Sequence, residues 1–233
     1  TGTGVQVELY MGERLINGTL KRSFTLEREF SDHSPVTYEY LRGMTVGGFT
    51  LSAPSQSIVT TQFSFLGANS ALQDSGRFSG ATTIATDARG VLNSSSNVGR
   101  IAKGGTPISG KNFVTELSVE IANNLRNQNA VGVLGAVAIG AGEFGVTGSL
   151  NTFFDDKSLA LDVINNAVTA IDARFQDGEA HAFLVDLPRV KFSEGAPEVP
   201  GKNQDVVLNL SYQAILDEVL GYTLKLLRFN GVQ

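Results

Sequence analysis

Residues 48–52 read Gly48-Phe49-Thr50-Leu51-Ser52, and past a turn at Ala53-Pro54-Ser55 the chain returns as Ile58-Val59-Thr60-Thr61-Gln62-Phe63-Ser64-Phe65. A second pair of stretches has the same design. Thr115-Glu116-Leu117-Ser118-Val119-Glu120-Ile121 is answered by Phe144-Gly145-Val146-Thr147-Gly148-Ser149-Leu150-Asn151-Thr152-Phe153. In all four, apolar residues alternate with small polar ones, and the side chains of a strand point alternately to opposite faces. Each pair therefore predicts a β-ribbon with two unlike faces. The apolar face carries Phe49, Leu51, Val59, Phe63, Phe65, Leu117, Val119, Ile121, Val146 and Leu150. The polar face carries Thr50, Ser52, Thr60, Gln62, Ser64, Ser118, Glu120, Thr147, Ser149 and Asn151. It is hydrated but almost uncharged, a surface that suits the wall of a water-filled channel.

Composition agrees with a mainly β chain. The 233 residues include 26 glycines, no cysteine and no tryptophan. A single domain of this length holds a real core. The missing cysteine excludes disulfides, thiol catalysis and zinc–thiolate sites. The net charge of −5 leaves no broad basic field to attract nucleic acid by counterion release. There is no run of eighteen apolar residues that would cross a membrane as a helix, and no signal peptide. The chain opens on Thr1 rather than Met, which reads as a processed product or as the C-terminal part of a longer one.

Outside the ribbons, residues 5–10 and 23–30 alternate as strands, and Asn17-Gly18 predicts a hairpin turn. Residues 36–41 read as a short helix or an extended segment. Residues 67–97 form a long glycine- and serine-rich loop, and loops of that length in compact domains are functional or disordered. Residues 98–103 and 106–109 predict a hairpin about Gly104-Gly105. Residues 127–139 interrupt the second ribbon with an uncharged, Gly- and Ala-rich stretch. Its Val131, Val133, Leu134, Val137 and Ile139 predict a contact with another subunit, because a free apolar loop is a liability. Residues 156–166 read as the one helix, with Asp155 or Asp156 as its cap and Leu159, Val163 and Ile164 as its apolar face. Strands follow over 168–176, 180–187, 189–193, 204–214 and 222–229.

No chemistry assembles from the motifs. Gly140-Ala141-Gly142-Glu143-Phe144-Gly145 matches the dinucleotide fingerprint, but that site needs a helix immediately after the glycines, and a strand pattern follows here. His33 and His181 lack the local spacing of a metal site and read as structural. Asp155-Asp156 reads as a cap rather than an acid–base pair. No catalytic residue, cofactor or metal is expected, and an enzyme is the least supported class. Two binding classes compete with a channel wall. A monomeric β-barrel for a small ligand would line a cavity with apolar residues. An outer-membrane barrel would need a signal sequence and aromatic girdles.

A set of segments in order carries a family resemblance: Arg22-Ser23-Phe24-Thr25-Leu26-Glu27-Arg28-Glu29-Phe30-Ser31-Asp32, Tyr40-Leu41-Arg42-Gly43-Met44, Phe63-Ser64-Phe65-Leu66-Gly67, Ser95-Ser96-Asn97-Val98-Gly99, Asn123-Asn124-Leu125-Arg126, Val131-Gly132-Val133-Leu134-Gly135 and Leu187-Pro188-Arg189-Val190-Lys191-Phe192. Together they resemble the tail tube (major tail) proteins of long, flexible-tailed bacteriophages of the siphophage type, over nearly the whole chain. The resemblance implies a β-sandwich or barrel-like subunit with one short α-helix and long loops. It implies a single tail-tube domain over 1–233 that lends strands to a ring-shaped inner β-barrel. It further implies six-membered rings stacked into a tube that conducts genome DNA without binding it specifically. The expected partners are further copies of the chain, a tape measure protein and a tail terminator, with no membrane. The expected location is the virion tail, after assembly in the host cytoplasm. The ten polar ribbon residues are the expected lumen wall, and 67–97 and 127–139 the expected contacts between subunits or rings.

Overall fold

The computed structural model describes residues 12–74, 77, 78, 80–86, 88, 90–108, 111–177 and 181–230; the strand expected over 5–10 lies outside them. In chain order the elements are β1 (Gly12–Ile16), β2 (Phe24–Phe30), β3 (Thr37–Pro54), β4 (Thr60–Leu66), β5 (Asn69–Gln73), β6 (Val98–Lys103), β7 (Thr106–Pro107), β8 (Val114–Ala122), β9 (Arg126–Asn129), β10 (Ala136–Gly140), β11 (Gly145–Phe153), α1 (Ser158–Ile164), β12 (Val168–Gln176), β13 (His181–Glu194), β14 (Pro197–Glu198), β15 (Val207–Ala214) and β16 (Lys225–Asn230). The fold is mainly β and sandwich-like with one short helix, as expected, and its strands do not close into a barrel.

The two ribbons are neighbours in one antiparallel sheet. β3 pairs with β4 on one side and β8 on the other, β8 pairs with β11, and β11 pairs with β15. The next strand, β13, joins this sheet to a second. Its C-terminal half pairs with β15 and its N-terminal half with β16, while β12 runs along it and carries β6 and β7 beyond. The break expected near Pro188 is therefore absent, and one strand spans the whole of His181–Glu194. Proline lacks an N–H for the ladder, and here it sits where the β12 register shifts between Thr169 and Ile171.

The apolar faces of the two sheets meet in one core. Leu117, Val119, Val146, Leu150, Leu208, Leu210 and Tyr212 come from the first sheet. Ile171, Ala173, Phe175, Val185, Leu187 and Val190 come from the second. Burying an aliphatic side chain of this kind contributes about 1.5–3 kcal/mol, so this interleaving is the main source of stability. Leu51 belongs to the core and Phe49, Val59 and Ile121 pack against it, as the ribbon pattern predicts. Phe63 departs from the pattern. It faces the same side but lies on the outermost strand, stays 53% exposed and leans on Phe49.

Two extensions leave the sandwich. The first half of β3 forms an arm with β2 and β5, so 37–41 is strand and the long loop contains a strand at its start. The arm bends at Gly43, where φ is +66° and a Cβ would lie 2.9 Å from that of Ala68; only glycine adopts this without strain. On the arm, Arg77 bridges Glu27 and Glu29, and Phe78 packs edge-on against the buried Tyr40. The second extension is the hairpin β9–β10, a sheet of its own. It fills the stretch expected to be a loop, and Ala136 N–H donates to the Ala68 carbonyl at the root of the arm.

Local corrections follow the same physics. Asn17 does not turn a hairpin; its side-chain oxygen accepts the Thr223 and Leu224 N–H groups ahead of β16, and β1 pairs with β16 instead. The N-cap position is Lys157, which makes no side-chain bond, but the Asp156 carboxylate accepts the Ser158 N–H at 2.8 Å, as expected of a capping residue. Asp155 and Asp156 are tied one step earlier to the buried Asn112, whose side-chain oxygen accepts both their N–H groups. On α1, Leu159 is buried and Val163 packs against the core, but Ile164 is exposed. The turn about Gly104-Gly105 is present, with φ of +55° and +78°.

Candidate functional site

Antiparallel pairing puts directly opposite residues on the same face of a sheet. The registers therefore align the expected wall residues into rows. Gln62, Thr50, Glu120 and Thr147 form one row across β4, β3, β8 and β11. Thr60, Ser52, Ser118 and Ser149 form the next. Asn151 stands opposite Glu116, and Ser64 opposite Gly48 beside a bulge at Gly47. All ten residues lie on one face of one sheet, the face away from the core.

β15 widens the face. Its residues alternate strictly between buried and exposed, and Gln213, Ser211 and Asn209 continue the rows from Thr147, Ser149 and Asn151. Sequence reasoning recognised the strand but did not add these three to the face, although the same alternation marks them. Beyond them, Lys191 stands opposite Gln213 and Glu194 opposite Ser211. The face is thus a field of hydroxyls and amides with Glu120 in an inner row, Glu116 toward one end and a mixed-charge margin on β13.

Cross-strand bonds brace it. The Ser118 and Ser149 hydroxyls are 2.8 Å apart, and the Ser149 N–H donates to the Ser118 hydroxyl oxygen. The Asn151 amide donates to Glu116 at 3.0 Å. Behind the face, the buried Tyr212 hydroxyl donates to the Ser118 carbonyl at 2.7 Å. It reaches over Gly148, where a Cβ would lie 2.2 Å from that carbonyl oxygen. Burial pushes the Tyr212 hydroxyl well above the usual tyrosine range, so it stays a donor.

Both ends of this sheet are apolar. One end, where Val46, Ala122, Gly145 and Ala214 lie, carries the arm, the hairpin and the turn after β15. Val131 and Leu134 at the hairpin tip are essentially fully exposed, Val133 and Val137 of the hairpin are exposed too, and so are Leu216, Val219 and Leu220 in the turn after β15. Ile139 is half-buried. The other end, at Pro54, Glu116 and Phe153, exposes Ile58, Phe113, Ile164 and Val199. Single exposed apolar side chains are ordinary, but groups of them mark contact surfaces.

The remaining candidates are structural. His33 stacks on Phe30, and His181 sits 2.9 Å from Asp177. The glycine motif leads into strand β11, and at Gly142 a Cβ would lie 2.8 Å from the Asn124 carbonyl, which explains the glycine by close packing. Asp156 is held at a pKa of about 2, chiefly by the Ser158 hydroxyl, then its N–H and the Asn112 amide. Among the described residues there is no cluster of metal-binding side chains and no helix long and apolar enough to cross a membrane.

Comparison with curated proteins found no match. A family model described as phage tail tube protein matches residues 1–214 of the 233. That span takes in both ribbons, the hairpin, the arm and every row of the polar face, and on that match the chain belongs to the phage tail tube protein family.

Proposed function

We infer that this protein is the structural subunit of the tail tube of a long, flexible-tailed phage, in which six-membered rings stack and the polar sheet face lines the lumen. Membership of the family makes it a component of a multi-subunit virion tail; the ring number, the lumen wall and DNA passage are the inference. One observation supports it most. The sequence-selected polar residues align as continuous rows across β4, β3, β8 and β11 and extend onto β15.

The chemistry of that face suits passage without adhesion. Hydroxyls and amides do not neutralise phosphate, and Glu116 and Glu120 repel it. A wall rich in Lys and Arg would release counterions and hold the strand. Closure into a ring also covers the free edge of β4, since an exposed edge strand otherwise recruits other chains. A head-to-tail interface that closes gives rings, and unlike apolar ends allow ring to stack on ring. The work is mechanical and electrostatic, with no catalytic step. A tape measure protein inside the lumen and a terminator at the tube end are the partners this reading requires, with assembly in the host cytoplasm.

Negative-stain electron microscopy of the purified protein, with mass photometry, tests it. Hollow tubes or rings with sixfold end views are expected. A full-length product that stays monomeric at high concentration and fails to join tails would overturn it.

A further inference from the structure

Among the described residues the sandwich is closed on one side and open on the other. On the closed side, β13 belongs to both sheets. On the open side each sheet ends, among the described residues, in a strand with one neighbour: β4 in the first and β1 in the second. Between these edges lies an apolar cleft of about 570 Å³. Phe63, Phe183 and Leu15 stand at its mouth, and it reaches in as far as Leu51 and Val185 of the core. Of the three charged side chains at its rim, Arg228 pairs with Glu13 at 2.6 Å and Arg14 is exposed. A cleft of this size falls within the roughly 300–1,000 Å³ range of sites that enclose an apolar group.

The chain carries one element of matching character. Among the described residues the β9–β10 hairpin pairs with no other strand, and residues 127–142 contain no ionisable side chain. Val131 and Leu134 project from its tip with relative exposures of 106% and 99%. The hairpin cannot fold back into its own cleft. Ala136 is hydrogen-bonded to Ala68, and Gly135 is packed so closely that a Cβ would lie 2.5 Å from the Ala68 oxygen. That anchor fixes the tip outward from the arm end of the sheet.

Building on the tube reading, we propose that the hairpin tip of one copy seats in the open cleft of a second copy, with Val131 and Leu134 against Phe63, Phe183 and Leu15. A neutral tip brings no ion of its own into the cleft, and an unpaired buried ion is the costly outcome at an interface. The contact is heterologous: each copy keeps its own cleft and its own tip, so the joint repeats from copy to copy instead of stopping at a pair.

The absence of native cysteine makes the test clean. The double variant Phe63→Cys with Leu134→Cys would be assembled into tubes, oxidised and run on a non-reducing gel. A ladder of covalent multimers is expected, while each single variant runs as a monomer. Leu15→Cys with Val131→Cys is the second pair, in case a cysteine at Phe63 disturbs its edge strand. Leu134→Cys with Val199→Cys is the comparison pair at the far end of the sheet. Cross-linking confined to the comparison pair would overturn the proposal. So would tubes of normal appearance in which neither cleft pair cross-links, the cleft then taking some other occupant, such as a small apolar molecule. Either failure leaves the tube reading intact, because tubes would still be seen; failure to form tubes by the unmodified chain removes both.

Discussion

The Tyr212 hydroxyl reaches the Ser118 carbonyl across the whole width of β11, at 2.7 Å, because residue 148 beneath it is glycine. The bond ties β15 directly to β8 and braces the polar face from behind. Gly148→Ala should lower the stability of the subunit by at least the upper end of the about 1–3 kcal/mol typical of overpacking, since the clash is with backbone. Tyr212→Phe should cost about 1 kcal/mol, the usual net loss for one buried hydrogen bond. Urea unfolding of the isolated subunit measures both.

The same hydroxyl gives an alkaline prediction. Burial raises its pKa in the folded protein, whereas an unfolded tyrosine ionises near about pH 10. Its contribution is therefore complete below that pH and is lost as pH rises above it. Wild-type unfolding midpoints should fall more steeply there than those of Tyr212→Phe, and parallel slopes would contradict the assignment.

Asp156 gives the acid counterpart. Its pKa of about 2 is depressed, first by the Ser158 hydroxyl. The stability it contributes is present above the ordinary carboxylate range, near about pH 4, and disappears as pH falls through its folded value. Asp156→Asn should flatten the acid limb of a midpoint-versus-pH curve and leave neutral tubes unchanged.

Glu120 stands in the middle row of the polar face between Thr50 and Thr147. Glu120→Lys should leave tails intact and slow DNA release, because a repelling charge becomes an attracting one at every copy. Dye-monitored ejection from purified virions reads this. Unchanged ejection with intact tails would remove Glu120 from the lumen. Arg174→Glu, on the outward face of the second sheet, should leave ejection as it was.

Leu134→Asp and Val131→Asp separate folding from assembly. Both side chains are fully exposed, so subunit stability should change by no more than about 0.5 kcal/mol, as for ordinary surface sites. Tube formation should fail, as followed by sedimentation and microscopy.

Much of this surface was legible in the sequence because its signal is local. Period-two alternation marks Thr50, Ser118 or Ser149 from a few neighbours. What it could not supply is pairing between distant segments. That Thr50 lies beside Glu120, and that β15 adds Gln213, Ser211 and Asn209, is set by register across the sheet. The misses have the same origin. Asn17-Gly18 has the chemistry of a turn, yet a tertiary contact with Thr223 and Leu224 takes up the side chain. Pro188 signals a break, yet a bulge in its own strand, where Pro188 and Arg189 stand against Ala170, accommodates it. Phe63 has the right parity for the core but sits on β4, which among the described residues is the last strand of the sheet. Ile164 has helical spacing, but the sandwich does not extend far enough to bury it.

Helical reconstruction by cryo-electron microscopy of tubes assembled from the full-length protein tests the central claim most directly. The expected map has the face of β4, β3, β8, β11 and β15 on the lumen, with Glu120 and Thr147 bordering the channel. A map with that face buried between subunits, or with the outward face of β6, β12 and β16 on the lumen, would contradict it.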